Sequence, residues 1–458
     1  MSVSSWLRWR LAGKGLFDPV PLSTALSRTP VVRIGEAMPA GSADTVVIVA
    51  SPSAHLAIGS PGAMAAHLVE SGSDLVYTDS ALVSEDGVRS VHKPGWSPNL
   101  LRSGPYLGPA FAVRRGLLGR AGGTQQQGHR LLLNLMDVAH HIDHVDRIWA
   151  SSPTLFGIDP DPDGITAAFA ASGMMAAATS RGDWARISLT PADERSTTTI
   201  IPTRNGAQRV GDLLAELVRG NAYDRLDVIV VDNGSDDGVT RPLLDELAAQ
   251  RSIRVIDHPG PFNFSAINNR ALDAVETELV LFLNDDVVPG DTRWLPQLTA
   301  NLDDPSVVAA GPLLLFPDGR IQHAGVVLGL GGVAGHPFGG RLPDDDGYFG
   351  WALARRDVAA VTAACMLART EQVRAVGGFD EGFPTDFGDV DLCLKLRDLG
   401  TTVVDPVATL THVQSASRGH RDADPEAARR FLSKWSAERR SDPWYSWRLP
   451  AINPGYTL

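Results

Sequence analysis

Asn284, Asp285 and Asp286 follow the apolar run ELVLFL (278–283). Adjacent carboxylates repel one another unless a cation lies between them. Carboxylate and phosphate oxygens together suit Mg²⁺ or Mn²⁺. One reading is therefore a cation-and-diphosphate site; the other is a turn or helix cap after a strand. DNGSDD (232–237) follows LDVIVV (226–231) in the same way. Asp232 and Asn233 could hydrogen-bond a nucleobase or ribose edge, or simply form an Asx-type turn. Asp389 precedes the amphipathic stretch DVDLCLKLRDLG (389–400). There it could cap the helix, or stay ionised at the positive helix end and serve as a general base. His412 ends TVVDPVATLTHV (402–413) and is either a metal ligand or a structural imidazole.

These residues need a scaffold that delivers them to one place. TTTIIPTRN (197–205) reads as a strand, and Val210, Leu213, Leu214, Leu217 and Val218 recur at helical spacing after it. LDVIVV is a second strand, 239–250 a helix, IRVI (253–256) a strand, and Ser265 a candidate cap for a helix carrying Ile267, Ala271, Leu272 and Val275. ELVLFL, SVVAAGPLLLF (306–316), VTAACMLA (361–368) and 402–413 read as further strands. Leu392, Leu396 and Leu399 share one face of the 389–400 helix, with Gly400 as its stop. Strands alternating with helices of this length imply right-handed βαβ units and a mostly parallel α/β sheet. Ligands bind such sheets beyond the carboxyl ends of the strands. Asp232–Asn233 and Asp285–Asp286 therefore belong to the same edge. Nearer the N-terminus, VVIVA (46–50) and DLVYTD (74–79) read as strands and ITAAFAASGMMAAATS (165–180) as a soluble helix.

Composition narrows the classes. The chain has 458 residues, 43% hydrophobic and 21% charged, as in a soluble globular protein of two to three domains. A net charge of −12 argues against nucleic acid as a partner. Cys365 and Cys393 are the only cysteines, so there is no disulfide framework and a reducing compartment is suitable. No apolar run approaches the roughly 18 residues of a membrane span. The basic WLRWRLAGKGLF (6–17) reads as a capping tail, with contact to a membrane surface as the other option. Two patterns are set aside. GLGGVAG (329–335) looks like a dinucleotide-binding loop, but HPFGGRLPDDDG after it offers no helix to receive a pyrophosphate. His140, His141 and His144 have metal-like spacing but no carboxylate-rich strand end with them, and are taken as structural.

Six segments in order resemble the family-2 glycosyltransferases: TTTIIPTRN (197–205), IVVDNGSDD (229–237), FNFSAINNRAL (262–272), LVLFLNDDVVP (279–289), GGFDEGFPTDFGDVDLCLKLRDLG (377–400) and THVQSASRG (411–419). The branch they look most like is the bacterial rhamnosyl- and O-antigen-type transferases. The resemblance implies a GT-A fold, a nucleotide-sugar donor and an inverting transfer to a glycan or lipid-linked glycan hydroxyl. It implies a metal-binding motif at Asn284–Asp286, with Asp286 and His412 toward Mn²⁺ or Mg²⁺. Pro202, Thr203, Asp232, Asn233, Asn263, Asn284 and Asp285 fall on the donor side. Asn233 stands where many members have Asp, which weakens the implied uridine preference and admits a thymidine donor. The family's catalytic Glu-Asp pair reads Gly388–Asp389, which retains the Asp as base. Trp351, Gly378, Phe379 and Asp380 are expected by position on the acceptor side.

Residues 73–118 resemble the later half of a preceding transferase module. SPSAH (51–55) stands where a metal motif would follow VVIVA, and QQQGHRLLLNL (125–135) where an acid pair would open a helix. The expected organisation is a degenerate module at 1–160, a connector at 161–195, a catalytic GT-A domain at 196–440 and a tail at 441–458. The expected location is cytoplasmic or peripheral at the inner membrane face, with homo-oligomerisation open. The other readings are a non-catalytic nucleotide-sugar sensor or scaffold, and a nucleotidyltransferase. The latter fits poorly, because PTRNGAQR (202–209) has a single glycine where a phosphate loop would be Gly-rich.

Overall fold

The computed structural model describes residues 17–20, 29–219, 226–250, 253–345, 348–413, 423–436, 442–452 and 455. Residues 6–16 of the basic N-terminal segment and SASRG (415–419) lie outside the described residues.

The second half of the chain builds a ten-stranded mixed sheet. Its main path runs Arg254–Asp257, Leu226–Asp232, Thr197–Thr203, Leu279–Leu283, Cys365–Arg369, Val307–Leu315, Thr401–His412 and Val287–Pro289. The first four strands are mutually parallel. Cys365–Arg369 runs antiparallel to both of its neighbours, and Val307–Leu315 pairs parallel with Thr401–His412. Ile321–His323 and Arg356–Val358 pair antiparallel beside this path. Leu279–Leu283 is buried at every residue, as expected of a strand covered on both faces. On one face lies helix Ala207–Arg219, which buries Val210, Leu213 and Leu214. Phe264–Leu272 buries Ile267 and Ala271 in a separate apolar cluster.

A seven-stranded sheet forms from the first half: Val31–Arg33, Val46–Ala50, Ala110–Arg114, Leu75–Ser84, Ile142–Ser152 and His55–Leu56, with Gly87–Val91 hairpinned onto Leu75–Ser84. Its pairings along that path are parallel, antiparallel, antiparallel, parallel, antiparallel. The same order occurs in the larger sheet from Thr197–Thr203 to Val287–Pro289. The hairpin strand corresponds to Ile321–His323. Helices Arg115–Arg120 and Gly128–Val138 sit in the chain as Thr370–Ala375 and Gly388–Leu396 do. Among the described residues the smaller sheet is thus a topological copy of the larger one, without counterparts of Leu226–Asp232, Arg254–Asp257 and Arg356–Val358. Leu226–Asp232 is the strand that leads into the DNGSDD turn, and Arg254–Asp257 pairs beside it.

The two sheets share one continuous apolar cluster containing Phe111, Leu131, Phe169, Trp184, Phe338 and Trp351. Buried Asp357 accepts hydrogen bonds from Ser97 Oγ (2.6 Å), Asn99 Nδ2 (2.5 Å) and Asn99 N (3.2 Å) across that contact. Arg102 pairs with Asp304 at 3.0 Å. The segment 165–180 is not a single helix. Pro162–Ala171 is helical, Gly173 turns at φ 76°, and Met175–Arg181 pairs with Trp184–Thr190 as a hairpin. Leu399 is 45% exposed rather than on the buried face, because the helix ends at Leu396.

Candidate active site

The carboxyl ends of the parallel strands meet at one edge. Thr203 and Asp232 are register partners there. Asp232 is 4% exposed; its Oδ1 accepts from Ser235 N (2.9 Å) and Ser235 Oγ (2.7 Å), which closes the turn. Asn233 Nδ2 donates to His258 O at 2.7 Å, and its backbone N to Thr203 O at 2.9 Å. Its Oδ1 is buried with no hydrogen-bond partner. These contacts close the turn and leave the Asn233 Oδ1 as its unpaired acceptor. Pro202 precedes Thr203 on the strand, half-buried.

Thr203 Oγ1 donates to Asp285 Oδ2 at 2.7 Å, and Arg209 Nη2 donates to the same oxygen at 3.1 Å. Burial pushes the Asp285 carboxyl above the ordinary range against the pull of these two donors, and the neighbouring Asp286 charge adds to the rise. Arg209 is the counter-ion that sequence spacing did not single out. Asn284 N donates to Ala364 O at 2.9 Å, which ties the strand end to the loop before Cys365.

Asp286 turns the other way. Its Oδ1 lies 3.1 Å from His412 Nε2, and Val413 N donates to its carbonyl at 2.9 Å. This follows from the pairing of Val287 with His412 in the sheet. His412 Nδ1 is 2.6 Å from Gln322 Oε1; an amide oxygen can only accept, so Nδ1 carries the proton and Nε2 faces the carboxylate.

Asp389 lies in the first turn of helix Gly388–Leu396, entered through Phe387 at φ 65°. Its Oδ2 accepts from Ala363 N (3.1 Å) and its Oδ1 from Val390 N (2.8 Å). Gly388 is required by packing: a Cβ there would come within 2.8 Å of Ser265 Oγ. Residues 362–364 thus link Asn284 to Asp389. His336 closes the circle. It titrates below the usual histidine range, chiefly because protein crowds its ring although the residue stays open to solvent on one side; Asp389 raises it and His412 lowers it. Asp285, Asp286, His412 and Asp389 are therefore linked along one sheet edge. Among the described residues, no three His, Cys, Asp or Glu side chains group closely enough to cage a metal by themselves.

Other expected residues stand apart from this group. Asn263 caps helix Phe264–Leu272 by accepting from Ala266 N at 3.0 Å, and its Nδ2 holds Glu381 O at 2.9 Å. The cap is Asn263, not Ser265, whose hydroxyl donates to Phe383 O. Phe379 is 2% exposed and packs on Phe282 and Phe264. Gly378 turns at φ 63° against Asn269. Asp380 is paired with Arg430 (3.0 Å) and Lys434 (2.9 Å). Trp351 is 1% exposed, edge-on to Trp184 and Tyr348 in the core between the sheets, so it offers no face to a ligand. Gln322, His323, His336 and Ala363 joined the site without a signal from spacing. His336 directly follows the GLGGVAG stretch (329–335) set aside as a false dinucleotide loop; among the described residues the next α-helix is Thr370–Ala375.

The mixed sheet with a parallel nucleotide-side half, and acidic strand ends gathered at its carboxyl edge, define a GT-A-type glycosyltransferase fold. Residues 198–324 match the model of glycosyl transferase family 2, and the chain carries a domain of that family. It is 36% identical over 409 residues to the O-antigen biosynthesis protein RfbC of Myxococcus xanthus, covering 84% of this chain and 31% of that protein. It is 29% identical over 245 residues to the N-acetylglucosaminyl-diphospho-decaprenol L-rhamnosyltransferase of Mycobacterium tuberculosis, covering 49% of this chain and 77% of that one. The chain spans less than half the length of the first two curated relatives it matches. Among solved structures, the mannosyltransferase PcManGT of Pyrobaculum calidifontis, in complex with GDP-Man and Mn²⁺, is 17% identical with a TM-score of 0.39, over 56% of this chain and 72% of that one. That likeness is remote.

Proposed function

We propose that this chain is an inverting glycosyltransferase that moves a sugar from a dTDP- or UDP-linked donor to a hydroxyl of a cell-surface glycan or lipid-linked glycan. The observation that carries the reading is the convergence of Asp232–Asn233, Asp285–Asp286, His412 and Asp389 at one sheet edge. The names of the O-antigen and rhamnosyl-transferring relatives favour a deoxyhexose donor and a lipid-diphosphate-linked acceptor.

On this reading Asp232 and Asn233 hold the base or ribose. Asp285, fixed by Thr203 and Arg209, faces the ribose or donor sugar. Asp286 Oδ1 and His412 Nε2 form an oxygen-and-nitrogen pair that suits Mn²⁺ or Mg²⁺. Two protein ligands are enough for a cation that also takes substrate phosphate oxygens. Bound there, the cation would offset charge developing on the departing diphosphate. Asp389 accepts the proton of the acceptor hydroxyl as that oxygen attacks the anomeric carbon from the face opposite the diphosphate, inverting the centre. Two backbone N–H groups orient the carboxylate. General-base action of this kind supplies about 10²–10⁴-fold.

We read the first sheet as a transferase module without its nucleotide-binding half. Among the described residues it has no counterpart of Leu226–Asp232, the strand that leads into Asp232 and Asn233, which supports this, and its role is structural support for the second sheet. Among the described residues no helix is long and apolar enough to cross a membrane. Action at the cytoplasmic membrane face fits a lipid-linked acceptor. The test is to incubate the purified chain with UDP- and dTDP-hexoses and Mn²⁺ and to measure nucleoside diphosphate release. Metal-dependent release supports the reading. No release and no binding across the panel would leave the scaffold reading in its place.

A further inference from the structure

His323 ends the strand Ile321–His323 and is 1% exposed. Its Nε2 faces two backbone donors, Gly325 N and Thr362 N, each at 3.3 Å. A ring nitrogen that receives N–H groups cannot itself carry a proton. In a neutral imidazole the proton must then sit on Nδ1. That Nδ1 is 2.9 Å from Nδ1 of His336. Two N–H groups cannot face each other at that distance, so His336 Nδ1 accepts and its own proton is left on Nε2.

We infer that His336 is a substrate-contacting residue of the transfer site and that His323 is its positioning residue: the buried ring fixes the tautomer and angle of the open one, so that a neutral N–H is presented between Asp389 and His412. The inference rests on the family-2 reading for its substrate but not for its tautomers.

Three features of the structure favour this over a packing role. His336 is the open member of the pair, and the charges of Asp389 and His412 both act on it. His323 is neutral at ordinary pH, because burial drives it well below the usual histidine range and the charges of His336, Arg356 and His412 push the same way. Finally, Thr362, which donates to His323, starts the 362–364 loop that donates to Asp389 and accepts from Asn284. One buried imidazole therefore sets both the donor N–H and the loop that orients the base. A neutral donor suits an oxygen of the substrate that gains negative charge as the bond to the anomeric carbon breaks.

Selective ¹⁵N-histidine labelling of the full chain tests the arrangement without turnover. At pH 7, long-range proton–nitrogen spectra should show the Nδ1–H tautomer for His323 and the Nε2–H tautomer for His336, each assigned by His→Gln substitution. The opposite tautomer at either ring overturns the inference. In nucleoside diphosphate release, His323→Phe and His336→Phe should each lower kcat about 10²-fold with donor KM little changed, as for a small misplacement of reacting groups. The double variant should be no worse than either single one, and His323→Gln, which can still accept and donate, should recover most of the loss. Additive losses, or unchanged kcat in His336→Phe, would also overturn it. Absence of turnover in the unsubstituted chain would count against the family-2 activity alone and leave the spectra to decide.

Discussion

Asp389→Asn separates chemistry from structure at the base. The carboxylate accepts from Ala363 N at 3.1 Å and from Val390 N at 2.8 Å. An amide keeps one accepting oxygen but turns an NH₂ toward the other N–H. That contact costs about 1–3 kcal/mol of folding free energy, the range for a buried donor left unpaired. Asp389 is only half-buried, so water can relieve part of this and the lower end applies. Loss of the base should remove about 10²–10⁴-fold of rate, equivalent to about 2.7–5.4 kcal/mol of barrier. The chemical effect therefore exceeds the structural one. Single-turnover transfer, measured beside donor titration and denaturant unfolding, should give a large drop in rate, donor affinity within about threefold of the parent, and a small stability loss. Transfer at a parental rate in a folded Asp389→Asn protein would refute the assignment of the base. Loss of donor binding in step with rate would show that Asp389 shapes the site rather than reacting.

Two further substitutions probe the scaffold. At Gly206 an added Cβ would stand 2.5 Å from both Asp285 Oδ2 and Thr203 Oγ1, so Gly206→Ala should weaken donor binding by about tenfold or more, near 1.4 kcal/mol; calorimetry against nucleotide sugars checks this, and the melting temperature should hardly move. Asp357→Ala strips the acceptor from Ser97 and Asn99 between the two sheets and should destabilise the protein by about 3 kcal/mol; urea unfolding reads this, and an unchanged midpoint would mean that the first sheet does not support the second.

Much of the parallel half was legible because its signals are local. Runs such as LDVIVV and LVLFL can only be covered strands, and the acidic turns after them mark the carboxyl edge whatever the rest of the chain does. The elements that failed to read depend on distant partners. Strand Ile321–His323 has three residues, too few to show a period, and gains its place only by pairing with Val307–Leu315. His323 and His336 are thirteen residues apart within Gly-rich sequence, and only the fold makes them neighbours. Trp351 misled because an aromatic residue near a loop is equally suited to a sugar and to a core; the first sheet, invisible from that position, decides for the core. The relation between the two sheets showed only in the likeness of residues 73–118 to the later half of a transferase module, since strand order repeats without a short sequence period.

The most direct test of the account is calorimetric titration of UDP- and dTDP-sugars into the full chain with Mn²⁺, repeated with chelator and with Asp286→Ala. The account predicts saturable binding with Mn²⁺ that disappears under both changes. Equal affinity with and without the metal and the Asp286 carboxylate would contradict it.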